Sequence, residues 1–146
     1  YFQQIGGIEC KPVSVEITYG LERLAMFIQK VNSVFDIVWN INKKEKKIIN
    51  YKDIYFESEK QFSKYNFELA NTEYLLKSFE FVENECKLLL NNNLPFPAYE
   101  NCIKASHYFN ILDARGSIGV AQRQSYILRI RSLVKSCCET YIKQEL

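Results

Sequence analysis

The sequence predicts an α+β protein in which a short β-rich part leads into a mainly helical bundle. Three observations carry this. Residues 1–20 alternate and carry β-branched types, the two-residue period of strands. A glycine then gives way at once to helical spacing in GLERLAM, residues 20–26. From about residue 57 onward apolar residues recur three and four positions apart. The change of period falls near residues 50–57, giving a first domain at 1–56 and a helical domain at 57–146.

YFQQI and VSVEITY are the first two strand candidates, and Gly6-Gly7 and Pro12 mark the turn or bulge between them. LERLAMFIQKV repeats apolar residues at Leu21, Leu24, Ala25, Ile28 and Val31, a helix that Asn32-Ser33 ends. VFDIVWNI and KIINYKDIYF read as a hairpin whose tip is the polar run NKKEKK. A short helix is expected over 57–65. Asn71-Thr72-Glu73 starts a long helix that runs to the asparagines at 91–93, with Leu75, Leu76, Phe79, Val82, Cys86, Leu89 and Leu90 inward. A further helix starts near Pro97, since proline is tolerated in a first turn, and stops near Gly116. The last one covers 117–144, with its start shifting to Val120 because Gly119 is a weak helix former; Ile127, Ile130, Leu133, Val134, Cys137 and Tyr141 face inward. Three such helices with short links pack as an antiparallel bundle.

Of the 146 residues 47% are hydrophobic and 25% charged, enough apolar material for a core. Apolar runs such as Leu88-Leu89-Leu90 are too short to span a membrane, so no membrane partner is expected. A net charge of +2 gives no global case for nucleic acid. Cys10, Cys86, Cys102, Cys137 and Cys138 are odd in number and lack a C-x-x-C spacing; they read as buried reduced thiols of a cytoplasmic protein. His107, the single histidine, sits in an apolar pattern with no cysteine at ligand spacing, and no metal ligands are assigned. The chain opens on YFQQIGG, which reads as the middle of a strand, so an earlier part is expected upstream.

In a strand Glu16, Thr18 and Gly20 share one face, with Val15, Ile17 and Tyr19 on the other. The first face then offers an acid, a hydroxyl and bare backbone, and Arg23 follows within the first helical turn. An arginine there meets the unfavourable end of the helix dipole, which an external anion relieves. Glu16 suits an amine, Arg23 a phosphate, and Gly20 close approach. The same segment also suits an exposed helix start, with Glu22 and Arg23 in water and Glu16 paired to a lysine of a neighbouring strand.

YGLERLAM resembles motif 3 of the class II aminoacyl-tRNA synthetases. More of the chain is similar to one family among them, the alpha subunits of bacterial two-subunit glycyl-tRNA synthetases: YFQQIGG at 1–7, EITYGLERLAM at 16–26, NSVFDIVW at 32–39, SKYNFELA at 63–70, LPFPAYENCIKASHYFNILDARGSI at 94–118 and RQSYILRIRSL at 123–133. The resemblance implies that the first domain is the end of a class II antiparallel sheet with its motif 3 helix. It implies glycine activation by ATP, with Mg2+, and transfer of glycine to glycine tRNA. Arg23 then becomes the catalytic arginine at the ATP γ-phosphate. Glu16 and Thr18 hold the glycine ammonium, Gly20 lies in the ATP site, and one of Gln3 and Gln4, Gln4 by preference, reaches ATP or its metal. Motifs 1 and 2 would lie before Tyr1, so the 146 residues alone are expected not to activate glycine. Residues 116–124, GSIGVAQRQ, depart from the family pattern, and no role is given to the start of the last helix. The implied partners are a beta subunit and a second alpha subunit, within an alpha2-beta2 assembly.

Two other readings fit the residues. In one, 57–146 is a non-catalytic interaction or tRNA-contacting module, with Arg129 and Arg131 of the last helix on the RNA backbone. In the other, the chain is a class II paralogue that has lost aminoacylation.

Overall fold

The computed structural model describes residues 1–42 and 44–145. The elements run β1 (Phe2–Ile5), β2 (Ile8–Ser14), α1 (Leu21–Gln29), a 3-10 turn (Val34–Asp36), β3 (Val38–Asn42), β4 (Lys47–Asn50), α2 (Tyr51–Lys64), a π-turn (Tyr65–Leu69), α3 (Thr72–Asn91), α4 (Pro95–Ala114) and α5 (Val120–Glu145). Both sheets are two-stranded and antiparallel, β1 with β2 and β3 with β4. The chain divides into two compact units, Tyr1–Glu16 with Asn66–Leu146, and Ile17–Tyr65.

In the first unit, the apolar stripe of α3 meets α4 and α5. Phe79, Cys86, Cys102, Ala105, Leu133 and Cys137 are buried together. Leu75 at the start of α3 packs with Ile111 and Leu112 at the end of α4, so these two helices run antiparallel. The Gln144 amide near the end of α5 donates to the Asn93 carbonyl just before α4, which makes α5 antiparallel to α4. The ring of Phe79 meets Tyr126 edge-on at 4.7 Å. The Arg115 guanidinium donates to the carbonyls of Phe67 (2.8 Å) and Ala70 (3.2 Å), holding the residues that lead into α3. The turn between β1 and β2 rests on α5. A Cβ on Gly6 would stand 2.9 Å from the Lys135 Cα, and Gly6 has φ of +59°, so only glycine fits there.

Glu83 lies inside the apolar stripe of α3, and is only 6% exposed. Arg129 of α5 satisfies it with both edges of its guanidinium, Nε to Oε1 at 3.1 Å and Nη2 to Oε2. Lys87 adds a third contact at 3.1 Å. The guanidinium also lies over Phe79 and Tyr126, 4.5 and 5.0 Å from the ring centroids. The hydrogen bond from Arg129 holds the Glu83 carboxyl below its ordinary value. All five cysteines are free thiols. Burial pushes Cys86 up to about 12 and Cys102 up to about 11, which leaves them as packing groups.

In the second unit, Gln29 ties α1 to β3. Its amide donates to the Val38 carbonyl at 3.1 Å and accepts from the Val38 N–H at 2.7 Å. Lys30 ends α1 in the left-handed conformation. β4 stops at Asn50, where Asn50 and Asp53 form a capping box that opens α2. The expected strand KIINYKDIYF is therefore corrected: its second half is helix, because the cap overrides the β-branched and aromatic composition. The expected short helix at 57–65 is the end of this longer one. Asn42 accepts from the N–H groups of Lys44 and Glu45 and so shapes the tip; Lys43, part of the expected tip, lies outside the described residues. Helix α1 buries none of its residues. Leu21, Leu24 and Ile28, expected to face inward, are exposed instead.

Glu83→Gln is expected to destabilise the chain by roughly 2–3 kcal/mol, below the 3–5 of a fully buried pair because a third of Arg129 stays in water. The carboxyl is depressed in the fold, so its contribution is complete above the ordinary value of 4.5 and drains away as pH falls below it. Urea unfolding across that range should show the wild type losing its advantage over the variant in acid.

Candidate active site

The candidate site residues divide between the two units. Gln4 and Glu16 belong to the first; Thr18, Gly20 and Arg23 belong to the second.

Gln4 lies on β1, opposite Glu9. The ladder pairs Phe2 with Ser14 and Gln4 with Glu9, so Cys10 to Val13 bulge out opposite the single residue Gln3. A shallow depression follows this bulge, and both Gln3 and Gln4 line it with residues 9–13. The bulge brings residues from both sides of the strand to one rim.

The strand expected over 13–19 is not formed in full. β2 ends at Ser14 and residues 15–20 have no regular structure. Among the described residues none pairs with 15–20 in a ladder, and a strand needs an edge to bind. Glu16, Thr18 and Gly20 therefore share no strand face. Glu16 and Thr18 are both engaged with other groups of the protein.

Gly20 and Arg23 are brought together. Gly20 is the residue before α1, in an extended conformation with no side-chain cap, and its carbonyl accepts the first helical hydrogen bond from Leu24 at 3.0 Å. A Cβ on Gly20 would meet Arg23 Cγ and Cδ at 3.8 Å. The arginine stem thus folds back over the glycine, and both residues are exposed. A helix start with no side-chain cap presents N–H groups and a positive dipole end. Arg23 adds a planar cation at the same end, and the chemistry suits an anion with several oxygens.

Arg129 is held by Glu83 and the two rings, whereas Arg131 is exposed and has no hydrogen bond or ion pair among the described residues. The sequence reading missed Glu83. The signal was present: an acid four residues after Phe79 and three before Cys86 sits in the apolar stripe and requires a cation. His107 is exposed on α4. Among the described residues no three His, Cys, Asp or Glu side chains gather as a metal site. The residues present do not fit a resident metal ion, and no step is routed through one. No helix of the described residues is long and apolar enough to cross a membrane.

Fold and site together define an α+β protein whose exposed helix start carries an arginine suited to an anionic ligand. The sequence model of one family, described as glycyl-tRNA synthetase alpha subunit, matches residues 1–146. The chain belongs to that family. It is 53% identical over 143 residues to proteins named glycine-tRNA ligase alpha subunit from Rickettsia akari (strain Hartford) and Rickettsia typhi (strain ATCC VR-144 / Wilmington). Each alignment covers 98% of this chain and 49% of the relative, so the chain spans about half the length of these proteins.

The Gly20 site has room for one methyl group at ordinary contact distance, and its φ of −73° suits any residue. Gly20→Ala is therefore expected to leave the melting temperature of the chain within about 4 °C of wild type, since a cap change from Gly to Ala costs only a few tenths of a kcal/mol to about one. A larger loss would show that the glycine is structural.

Proposed function

We propose that the chain works as part of a glycine-tRNA ligase, activating glycine with ATP and passing it to glycine tRNA. Family membership along the whole chain supports this, and one observation carries it: Arg23 folded over Gly20 at the uncapped start of α1. Arg23 receives the γ-phosphate of ATP through charge-assisted hydrogen bonds. Gly20 lets the nucleotide approach the backbone, and Gln4 is assigned to ATP. Glu16 takes the glycine ammonium, and Thr18 is assigned to the same ligand. The carboxylate of glycine attacks the α-phosphate and expels pyrophosphate, leaving glycyl-adenylate, so the protein needs no nucleophile of its own. It supplies orientation and positive charge. Selection of glycine rests on excluding larger side chains, a steric rejection stronger than the loss of one methylene. Magnesium enters only as the counter-ion of the nucleotide.

We assign residues 1–56 to the end of a class II catalytic domain and 57–146 to a helical domain. The active protein is proposed to be cytoplasmic, with a beta subunit and a second alpha subunit in an alpha2-beta2 assembly. Because the resemblance puts motif 2 outside these residues, the 146-residue chain alone is expected to give no ATP–pyrophosphate exchange. Clear exchange by the isolated chain would contradict this.

In the complete enzyme, Arg23→Ala should lower glycine-dependent exchange by about 100-fold or more, the scale of removing a donor that meets developing charge. Arg23→Lys should recover only part of it, because an ammonium cannot bridge two oxygens. Exchange within about two-fold of wild type in Arg23→Ala would refute the assignment. Gly20→Ala should raise the KM for ATP while stability holds.

Arg131 favours a second contribution, a phosphate contact to tRNA, because it is exposed and unpaired among the described residues. Arg131→Ala should weaken tRNA binding and lower its salt slope by about 0.7–0.9. Substituting Arg129 as well should add a stability loss, through Glu83, that Arg131 alone does not cause. Unchanged affinity and slope would end this assignment.

A further inference from the structure

The β3–β4 hairpin carries a feature that the proposed chemistry does not use. Trp39 occupies the extra position of a β-bulge between Val38 and Asn40, a device that re-aims a side chain. The indole is 54% exposed, yet it is held. Tyr51 and Tyr55 of α2 meet it edge-on at 6.0 and 5.5 Å, and they pack on each other at 4.5 Å. Next to it on the hairpin, Ile41 and Ile48 pair across the ladder, each 55% exposed. Beyond them the tip turns with Lys44 and Lys46, and Lys47 starts β4. These three lysines are exposed, and no carboxylate lies within ion-pair distance of them among the described residues.

A fixed aromatic plate a few residues from unpaired cations matches the chemistry of an unpaired nucleic-acid strand. Every base has a flat face that can stack on an indole, and the phosphates that follow it meet the lysines. An apolar protein partner would leave the lysine charges unmatched, and a free anion would leave the plate unused. We infer that this hairpin is a contact for a single-stranded RNA segment, with Trp39 stacking on a base and Lys44 and Lys46 neutralising backbone phosphates. The inference rests on the tRNA-dependent reading above and names a surface of the molecule for it.

The test uses the complete synthetase, with tRNA binding measured across a range of salt concentrations and ATP–pyrophosphate exchange measured in parallel without tRNA. The double substitution Lys44→Ala, Lys46→Ala should weaken tRNA binding several-fold at low salt and lower the log–log salt slope by about 1.5, the release of two counter-ions from a single strand. Trp39→Leu should weaken binding about ten-fold with the slope unchanged, and Trp39→Phe should recover most of it. Exchange should stay at the wild-type level in all three, which shows an intact fold and active site. Wild-type affinity and slope in both the lysine and the leucine variants would overturn the inference while leaving glycine activation standing. Shielding of Trp39 from acrylamide quenching in the RNA-free enzyme would also overturn it, by showing that protein already covers the plate. Absence of exchange in the wild-type complex would instead sink the reading of glycine activation, and a complex that exchanges but does not bind tRNA would sink the tRNA-transfer half of the functional reading together with this inference.

Discussion

A carboxylate cannot be buried without a cation held against it, and Glu83 sets that condition for the helical part of this chain. The acid sits in the apolar stripe of α3, where desolvation opposes its charge. Arg129 of α5 answers with two hydrogen bonds and lays its flat face on Phe79 and Tyr126. One side chain thus fixes the spacing and rotation of α5 against α3. A purely apolar contact there would tolerate sliding, whereas a two-edged ion pair between aromatic rings accepts one register. The β1–β2 turn follows from this placement, since a Cβ on Gly6 would run into the Lys135 backbone, about 1.7 helical turns further along α5.

The second unit uses charge in the opposite way. Arg23 at the start of α1 is left exposed, over a glycine, at the end of a helix that prefers anions. The apolar face of α1 is also open, with Phe27 81% exposed. This helix is anchored at its C-terminal end, through Gln29 to Val38 and through the left-handed Lys30. A site built this way spends no stability on internal partners for the arginine and keeps it available for a ligand.

Much of the fold could be read from the sequence because helices are local. The stripe Leu75, Phe79, Val82, Cys86 and the glycine that opens α1 are set by residues within a few positions of one another. Strands were harder. Residues 15–20 have strand composition but no partner for a ladder, and 51–56 have it too but follow a capping box. That box was visible as Asn50 and Asp53 three residues apart, and composition hid it. The closeness of Gly20 and Arg23 was legible for the same local reason. The fate of Arg129 was not, because its partner lies 46 residues away and no periodicity reports such a pairing.

The account turns on Arg23 meeting the terminal phosphate of a nucleotide at the start of α1. Chemical modification of the complete synthetase with an arginine-selective dicarbonyl, read peptide by peptide in a mass spectrometer, tests this directly. ATP should slow modification of Arg23 strongly, AMP should slow it little, and Arg131 should be unaffected by either. Equal modification of Arg23 with and without ATP, in an enzyme that still turns over, would contradict the account.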